Sequence, residues 1–251
     1  MLKQIPNVLT SLNLLCGCIA LLFVISGNLV TATVFACLGI FFDFFDGFAA
    51  RLFNAHSEVG LQLDSLADMV TSGLVPGFAM VQLLSKSYTG DYFKIDQLFA
   101  ASGISANLNS WLPLVGLLVV VASAYRLAKF NVDDRQTDSF IGLPTPANTL
   151  LILSLVLILE FQNVVWVNEL ILSPWFLIGL TIISSVLLNA EIPLFALKFK
   201  TWDVKSNLKR YVFLAFCLLA LLTLRFLGLP VIIAVYVLLS LVWKEQTKLK
   251  V

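Results

Sequence analysis

The chain has 251 residues, of which 59% are hydrophobic and only 12% are charged. An ordinary soluble domain carries roughly a quarter charged residues, so this composition excludes a soluble globular protein. Sixteen Lys and Arg against fifteen Asp and Glu leave a net charge of +1, which excludes the basic surface of a nucleic-acid-binding protein.

Apolar runs of about twenty residues, long enough to cross a hydrocarbon core of roughly 30 Å, recur along the whole chain. They predict an all-α integral membrane protein with about eight transmembrane helices. The last two are short and separated by Gly228-Leu229-Pro230, which predicts a tight hairpin or a partly inserted pair. The predicted helices run from Leu9 to Ser26, Leu29 to Phe53, Leu61 to Leu84, Trp111 to Phe130, Pro146 to Phe161, Leu170 to Leu188, Tyr211 to Phe226 and Leu229 to Trp243.

Basic residues are concentrated on one side of this predicted arrangement. Cytosolic loops of membrane proteins carry an excess of Lys and Arg, so we expect that side and both termini to face the cytosol. The exceptions are Lys86, Lys94 and Arg225, and the loop from Ser85 to Ser110 is then external. The thirteen residues that agree are Lys3, Arg51, Arg126, Lys129, Arg135, Lys198, Lys200, Lys205, Lys209, Arg210, Lys244, Lys248 and Lys250.

Four aspartates lie in the second and third predicted helices. Asp43 and Asp46 are three residues apart and Asp64 and Asp68 are four apart, so each pair occupies one helical face. At a rise of about 1.5 Å per residue, Asp46 and Asp64 lie about 6–7 Å inside the cytosolic boundary, and Asp43 and Asp68 about 12 Å inside. The antiparallel helices therefore bring four carboxylates to matching depths.

Four unpaired aspartates in a membrane would cost on the order of 10 kcal/mol, so something must neutralise them. Arg51 is a single nearby cation. Oxygen ligands select hard divalent ions such as Mg²⁺ or Mn²⁺, and a pair of such ions promotes displacement at phosphorus. The alternative that the spacing leaves open is a proton or cation pathway in a transporter.

The segment around these acids resembles a known family. It reads Asp43-Phe-Phe-Asp46-Gly47-Phe-Ala-Ala50-Arg51, then Gly60, Asp64 and Asp68 at spacings of nine, four and four residues. This is similar to the complete signature of the CDP-alcohol phosphotransferases, with eight fixed positions over 26 residues and no departure. The resemblance covers about the first six helices. We therefore expect residues 1–190 to be the six-helix family core, followed in 191–251 by a basic cytosolic loop, a C-terminal transmembrane hairpin and a tail.

The resemblance implies transfer of a phosphatidyl or similar group from a CDP-linked donor to an alcohol, with release of CMP. It implies that Asp43, Asp46, Asp64 and Asp68 hold two metal ions and that Asp68 deprotonates the acceptor hydroxyl. It also favours a homodimer. Helix capping and interfacial solvation are the alternative roles for Asn7, Thr10 and Asn13. The residues that it places at the CDP-lipid are Asn7, Thr10, Gly47, Arg51, Ser57 and Gly60.

A second region resembles the phosphatidylserine synthase branch of the family, in which an RLA(R/K)FN segment is paired with GLPTPA. Both are present here, starting at Arg126 and Gly142, with Asn148 as a minor departure just after them. Serine would bring a carboxylate and an ammonium group into the site. Anchoring at the positive membrane boundary is the alternative role for the basic residues. The candidate serine-binding residues are Arg126, Lys129, Asn131 and Arg135.

The sequence thus predicts an enzyme of the cytoplasmic membrane, with its active site facing the cytosol. It is expected to use CDP-diacylglycerol and L-serine, to require two Mg²⁺ or Mn²⁺ ions and to bind membrane lipid. Within the family, the acceptor could instead be choline, glycerol phosphate or inositol. In a different class, a cation transporter would use the same acids.

Overall fold

The computed structural model describes residues 4–55, 57–100, 103–104, 108–133, 141–194 and 203–242. Within them the chain is a bundle of helices. Between α4 (Val75–Thr89) and α5 (Leu108–Trp111) it also forms one antiparallel ribbon of two-residue strands, β1 (Phe99–Ala100) and β2 (Gly103–Ile104). The predicted all-α membrane architecture is confirmed. The helices are α1 (Ile5–Ile25), α2 (Leu29–Leu52), α3 (Glu58–Asp68), α4 (Val75–Thr89), α5 (Leu108–Trp111), α6 (Leu118–Val132), α7 (Thr145–Phe161), α8 (Val165–Ile171), α9 (Pro174–Asn189), α10 (Val204–Leu224) and α11 (Gly228–Val242).

Among the described residues, five helical stretches are long and apolar enough to cross a membrane, and α8 with α9 makes a sixth if that bent pair is one span. Helix α7 is apolar but has only 17 residues. The last stretch, Asn207–Val242, contains both α10 and α11. The Phe213 and Tyr236 rings on these two helices lie 5.6 Å apart, so the chain reverses between them. These last helices form the predicted hairpin, but the chain turns at Arg225–Leu227, and Gly228-Leu229-Pro230 begin α11.

The helix predicted from Leu170 to Leu188 corresponds to α9, and only its predicted start is wrong. Helix α8 ends at Ile171 and α9 begins at Pro174, with a bend of 65° between them. Proline has no backbone N–H and disfavours a helical conformation of the residue before it, and Ser173 is extended with ψ 122°. Pro174 starts the new helix at the position where proline is tolerated.

The long helix predicted from Leu61 to Leu84 is extended at both ends and contains a wider turn. Six residues, Met69–Leu74, form a π-helical turn between α3 and α4, called here the π turn. It begins at the residue that follows Asp68. Turns of this kind are rare and often occur at functional sites.

Helices α1 and α2 and the π turn cross where small residues permit close approach. A Cβ atom added to Gly39 of α2 would lie 2.7 Å from Cγ2 of Thr71 and 3.0 Å from Oδ1 of Asn13. Thr71 also donates a hydrogen bond of 3.1 Å to the carbonyl of Asn13. This crossing holds the inner part of α1 against the helix that carries Asp64 and Asp68.

Gly39→Ala should therefore destabilise the protein by about 1–3 kcal/mol, the usual range for overpacking. The midpoint of thermal unfolding in detergent is the measurement. Gly179→Ala is the matched control, because no atom of the described residues lies within 4 Å of the added methyl group there. Since Ala is the better helix former, the control should keep or raise the midpoint. Equal decreases in both variants would contradict the close packing at Gly39.

Candidate active site

The predicted carboxylates meet where the C-terminal half of α2 faces α3. One oxygen from each of Asp43, Asp46 and Asp64 lies within 4.8 Å of the others. The carboxyl group of Asp43 also interacts with those of Asp64 and Asp68. The helical spacing therefore brings all four acids into one cluster. Asp46 is buried and the other three are partly buried.

A cleft of about 500 Å³ opens beside this cluster. Its walls include the first turns of α1, the end of α2 and the start of α3. Asp46 and Asp64 line it, so two of the carboxylates face the open space. The structure also brings all six predicted CDP-lipid residues to its wall: Asn7, Thr10, Gly47, Arg51, Ser57 and Gly60.

Helix α1 supplies two polar side chains to the carboxylates. The Thr10 hydroxyl donates a hydrogen bond of 2.6 Å to Oδ2 of Asp46, and the Asn13 amide donates one of 3.4 Å to Oδ1 of Asp68. Thr10 is 3% exposed and Asn13 is fully buried, so interfacial solvation is not their role. Asn13 is not among the site residues predicted from the sequence. Its position three residues after Thr10, on the same face of α1, could have indicated that it belongs to the site.

One of the predicted residues, Ser57, caps a helix in this structure. The Ser57 hydroxyl accepts a hydrogen bond of 3.0 Å from the Gly60 amide at the start of α3, as an N-cap residue does. The Asn7 amide lies 3.5 Å from Oε1 of Gln4. A capping contact leaves the remaining polar atoms of these side chains available to the cleft.

Arg126 projects from α6 into the protein, where only 7% of it is exposed. Its Nε donates a hydrogen bond of 2.6 Å to the carbonyl of Leu143. Its guanidinium carbon lies 5.9 Å from the centre of the Phe130 ring, and its charge is attracted by Asp68. The Nη2 atom is buried and has no hydrogen-bond partner among the described residues. This donor is thus available to an anion near Asp68.

The loop that precedes α7 holds in place the Leu143 carbonyl, which accepts the hydrogen bond from Arg126 Nε. Gly142 has φ 76°, a conformation that glycine adopts readily, and an added Cβ would lie 2.6 Å from the carbonyl of Leu188. The amides of Gly142 and Leu143 donate to the carbonyls of Ile192 and Leu187 at 3.0 and 2.9 Å. The GLPTPA segment therefore acts as a tether between α9 and the buried arginine.

The other candidate serine-binding residues differ from Arg126. Lys129 forms a salt bridge of 3.2 Å with Glu191, and both side chains are substantially exposed. Asn131 donates a hydrogen bond of 2.9 Å to the hydroxyl of Ser65, which joins the end of α6 to the helix that carries Asp64 and Asp68. Arg135 lies outside the described residues.

The acidic cluster fits a divalent metal ion. Its donors are carboxylate oxygens, which Mg²⁺ and Mn²⁺ prefer. Opposite ligands of one Mg²⁺ are about 4.2 Å apart, so three oxygens within 4.8 Å need little movement to share an ion. Thr10 orients Asp46 as an outer-shell partner orients a ligand.

An apolar helical bundle that encloses such a cluster defines an integral membrane protein with a candidate metal site. The profile of the CDP-alcohol phosphatidyltransferase family matches residues 3–187. The chain belongs to this family.

The chain is also similar in sequence to individual named proteins of three organisms. A CDP-diacylglycerol–serine O-phosphatidyltransferase of Bacillus subtilis is 34% identical over 149 residues, which cover 58% of this chain and 71% of that protein. One of the same name from Helicobacter pylori is 29% identical over 211 residues, covering 82% and 76%. An archaetidylserine synthase of Methanothermobacter thermautotrophicus is 30% identical over 156 residues, covering 61% and 58%.

Proposed function

We propose that the protein transfers the phosphatidyl group of CDP-diacylglycerol to the hydroxyl group of L-serine, giving phosphatidylserine and CMP. Family membership and the names of the relatives support this reaction. The observation that carries it is the meeting of three carboxylate oxygens within 4.8 Å at a cleft of about 500 Å³.

Asp43, Asp46, Asp64 and Asp68 would together hold two divalent ions, Mg²⁺ or Mn²⁺. Such ions would offset the repulsion among the carboxylates and polarise the phosphoryl oxygens of the donor. Among the described residues, no basic side chain neutralises the whole cluster. Arg51 is exposed at the cleft, and Arg126 interacts only with Asp68.

The CDP part of the donor would occupy the cleft beside α1. Asn7, Thr10 and Ser57 offer it hydroxyl and amide groups, and Arg51 offers a guanidinium that can contact two phosphate oxygens at once. Gly60 permits the close approach of α3 to α1, because an added Cβ would lie 3.1 Å from Oδ1 of Asn7.

Gly47→Ala tests this placement of the donor. No atom of the described residues lies within 4 Å of the added methyl group, so the fold should be unaffected and the helix slightly stabilised. The methyl group would instead occupy space in the cleft. We expect the KM for CDP-diacylglycerol to rise about tenfold or more while the thermal midpoint is kept. An unchanged donor KM would contradict the placement.

Asp68 would accept the proton of the serine hydroxyl, and Asn13 would keep the carboxylate in position. The serine oxygen would form a bond to the phosphorus that carries the diacylglycerol oxygen. The bond from this phosphorus to the bridging oxygen of the CMP group would break, and CMP would leave with the bonding electrons. Arg126 would pair with the carboxylate of serine through its unpartnered Nη2.

We also propose that the active-site end of the bundle faces the cytosol and that both termini lie there, in the cytoplasmic membrane. The excess of basic residues on that side supports this orientation. The family match ends at residue 187, which supports 1–190 as the catalytic core and 191–251 as an addition to it. A homodimer is the expected assembly by resemblance to the family.

Cysteine labelling tests the orientation. In a background without the four native cysteines, a cysteine at Ser57 should react only with reagent added on the cytosolic side. A cysteine at Thr89, at the other end of the α3–α4 stretch, should react only from outside. The reverse pattern would place the active site away from the cytosol.

The choice of acceptor is tested by CMP release. The purified protein is supplied with CDP-diacylglycerol and, separately, with L-serine, choline, glycerol phosphate or inositol. We expect rapid release with serine alone. Rapid release with another alcohol and not with serine would keep the family assignment but overturn the proposed acceptor.

A further inference from the structure

Buried polar side chains with unpartnered atoms surround the π turn, about one helical turn beyond Asp68. Ser72 is in the π turn, Ser123 and Arg126 are on α6, and Asn148 is on α7. Three of them are 0% exposed and Arg126 is 7% exposed. The atoms without a hydrogen-bond partner among the described residues are Ser72 Oγ, Ser123 Oγ, Arg126 Nη2, Asn148 Nδ2 and Asn148 Oδ1.

Such a group is unusual in a folded protein. More than nine in ten buried polar groups have a hydrogen-bond partner, and leaving one without a partner destabilises the protein. Five of the ten such atoms among the described residues lie on these four side chains, and a polar ligand would complete them.

Contacts between the three elements bring together the stretches of backbone that carry these side chains. The Thr149 hydroxyl donates a hydrogen bond of 3.2 Å to the carbonyl of Ser72, which holds α7 on the π turn. A Cβ atom added to Gly73 would lie 3.4 Å from Cβ of Ser123, which places α6 against the same turn. Arg126 is one helical turn from Ser123 and contacts the loop before α7 through Leu143.

The region also adjoins the reaction centre. Ser72 follows Asp68 by four residues, so the two lie about one turn apart on the same stretch of helix. The charge of Arg126 is attracted by Asp68. A small ligand held here would present its far end to Asp68.

The chemistry of the unpartnered atoms specifies a ligand with charges of both signs. The guanidinium of Arg126 donates and carries a positive charge, so it suits a carboxylate. The amide oxygen of Asn148 and the hydroxyl of Ser72 accept hydrogen bonds, so they suit an ammonium group.

We propose that the π turn, α6 and α7 enclose the acceptor pocket. In it, Asn148 and Ser72 bind the α-ammonium group of the amino acid, and Arg126 binds its carboxylate. This inference rests on the proposed function, and it assigns the ammonium-binding residues that the sequence did not identify. Ser123 provides a further hydroxyl at the wall of the pocket.

Asn148→Leu and Ser72→Ala test the proposal, because each removes unpartnered polar atoms while largely keeping the size of the side chain. Loss of a hydrogen bond to a charged group should raise the KM for serine about 10- to 150-fold, with little change in the KM for CDP-diacylglycerol. Ser85→Ala is the matched control. Ser85 is a buried serine with an unpartnered hydroxyl, but it lies in the distant half of α4, so its serine KM should stay unchanged.

Two serine analogues identify the group that is recognised. The inhibition constant of 3-hydroxypropanoate, which lacks the ammonium group, should be the same in the Asn148→Leu variant and the parent. Ethanolamine, which keeps the ammonium group, should inhibit the variant more weakly than the parent, by the same factor as serine loses. Equal weakening of both analogues would overturn the assignment of Asn148 to the ammonium group.

Thermal unfolding separates binding from a structural role. Without serine, the Asn148→Leu variant should unfold at or above the midpoint of the parent, because the substitution removes unpartnered buried atoms. Serine should raise the midpoint of the parent and of Ser85→Ala but not of Asn148→Leu. An unchanged serine KM, or a lower midpoint with both substrate KM values raised equally, would overturn the proposal. If the parent itself does not use serine, the proposed function fails, and that result is distinct from these.

Discussion

An Asp43→Asn enzyme should release CMP at least about 1000-fold more slowly than the parent. An oxygen of Asp43 lies within 4.8 Å of oxygens of Asp46 and Asp64, and its carboxyl group also interacts with Asp68. A metal ion contributes several kcal/mol of transition-state stabilisation, and each 1.36 kcal/mol is a factor of ten. The measurement is the initial rate of CMP release at saturating substrates over a range of Mg²⁺ and Mn²⁺ concentrations.

The same substitution should not destabilise the metal-free protein. It removes one of four neighbouring negative charges, so repulsion within the cluster decreases and the thermal midpoint in EDTA should be equal or higher. Addition of Mg²⁺ or Mn²⁺ should then raise the midpoint of the parent much more than that of the variant. Asp91→Asn, the same change outside the cluster, should behave as the parent. Near-normal CMP release by Asp43→Asn would contradict a catalytic metal cluster.

An Arg126→Lys enzyme should need about 10- to 150-fold more serine to reach half-maximal rate, the range for loss of a hydrogen bond to a charged group. Lysine keeps the charge but cannot both hold the Leu143 carbonyl through Nε and reach a carboxylate with a second nitrogen. The measurement is the KM for serine against the KM for CDP-diacylglycerol, which should change little.

Lys129→Ala gives the comparison for that result. From the sequence alone, both residues are expected to contribute to serine binding. In the structure, Lys129 is paired with Glu191 at 3.2 Å and is partly exposed, and such surface pairs contribute up to about 1 kcal/mol. We therefore expect less than about a fivefold change in the serine KM. A larger rise in the serine KM for Lys129→Ala than for Arg126→Lys would contradict the assignment of the serine carboxylate to Arg126.

The position of the carboxylates could be predicted from the sequence because it depends on local geometry. Spacings of three and four residues put each pair on one helical face, and a short connection makes the two helices antiparallel neighbours. The residues that line the cleft could be predicted from the resemblance to the family. Pro174 also carried enough information to predict the break between α8 and α9.

Other features depend on contacts between residues far apart in the chain, which no local pattern specifies. Asn13 and Asp68 are 55 positions apart, and Lys129 and Glu191 are 62 apart. Within the π turn, Met69–Leu74 is an ordinary apolar and small-residue segment apart from Gly73. Pro76, at the start of α4, lacks the N–H that would bond the Ser72 carbonyl, but that does not specify the length of the turn. The environment of Asn148 and Ser72 depends on how that turn packs against α6 and α7.

Conversion of isotopically labelled L-serine by the purified protein tests the central claim most directly. With CDP-diacylglycerol and Mg²⁺ or Mn²⁺, mass spectrometry should detect labelled phosphatidylserine in amounts equal to the CMP released. No labelled lipid should form with Asp43→Asn or in EDTA. Release of CMP without a labelled lipid, or the same yield of labelled lipid in EDTA, would contradict metal-assisted phosphatidyl transfer to serine.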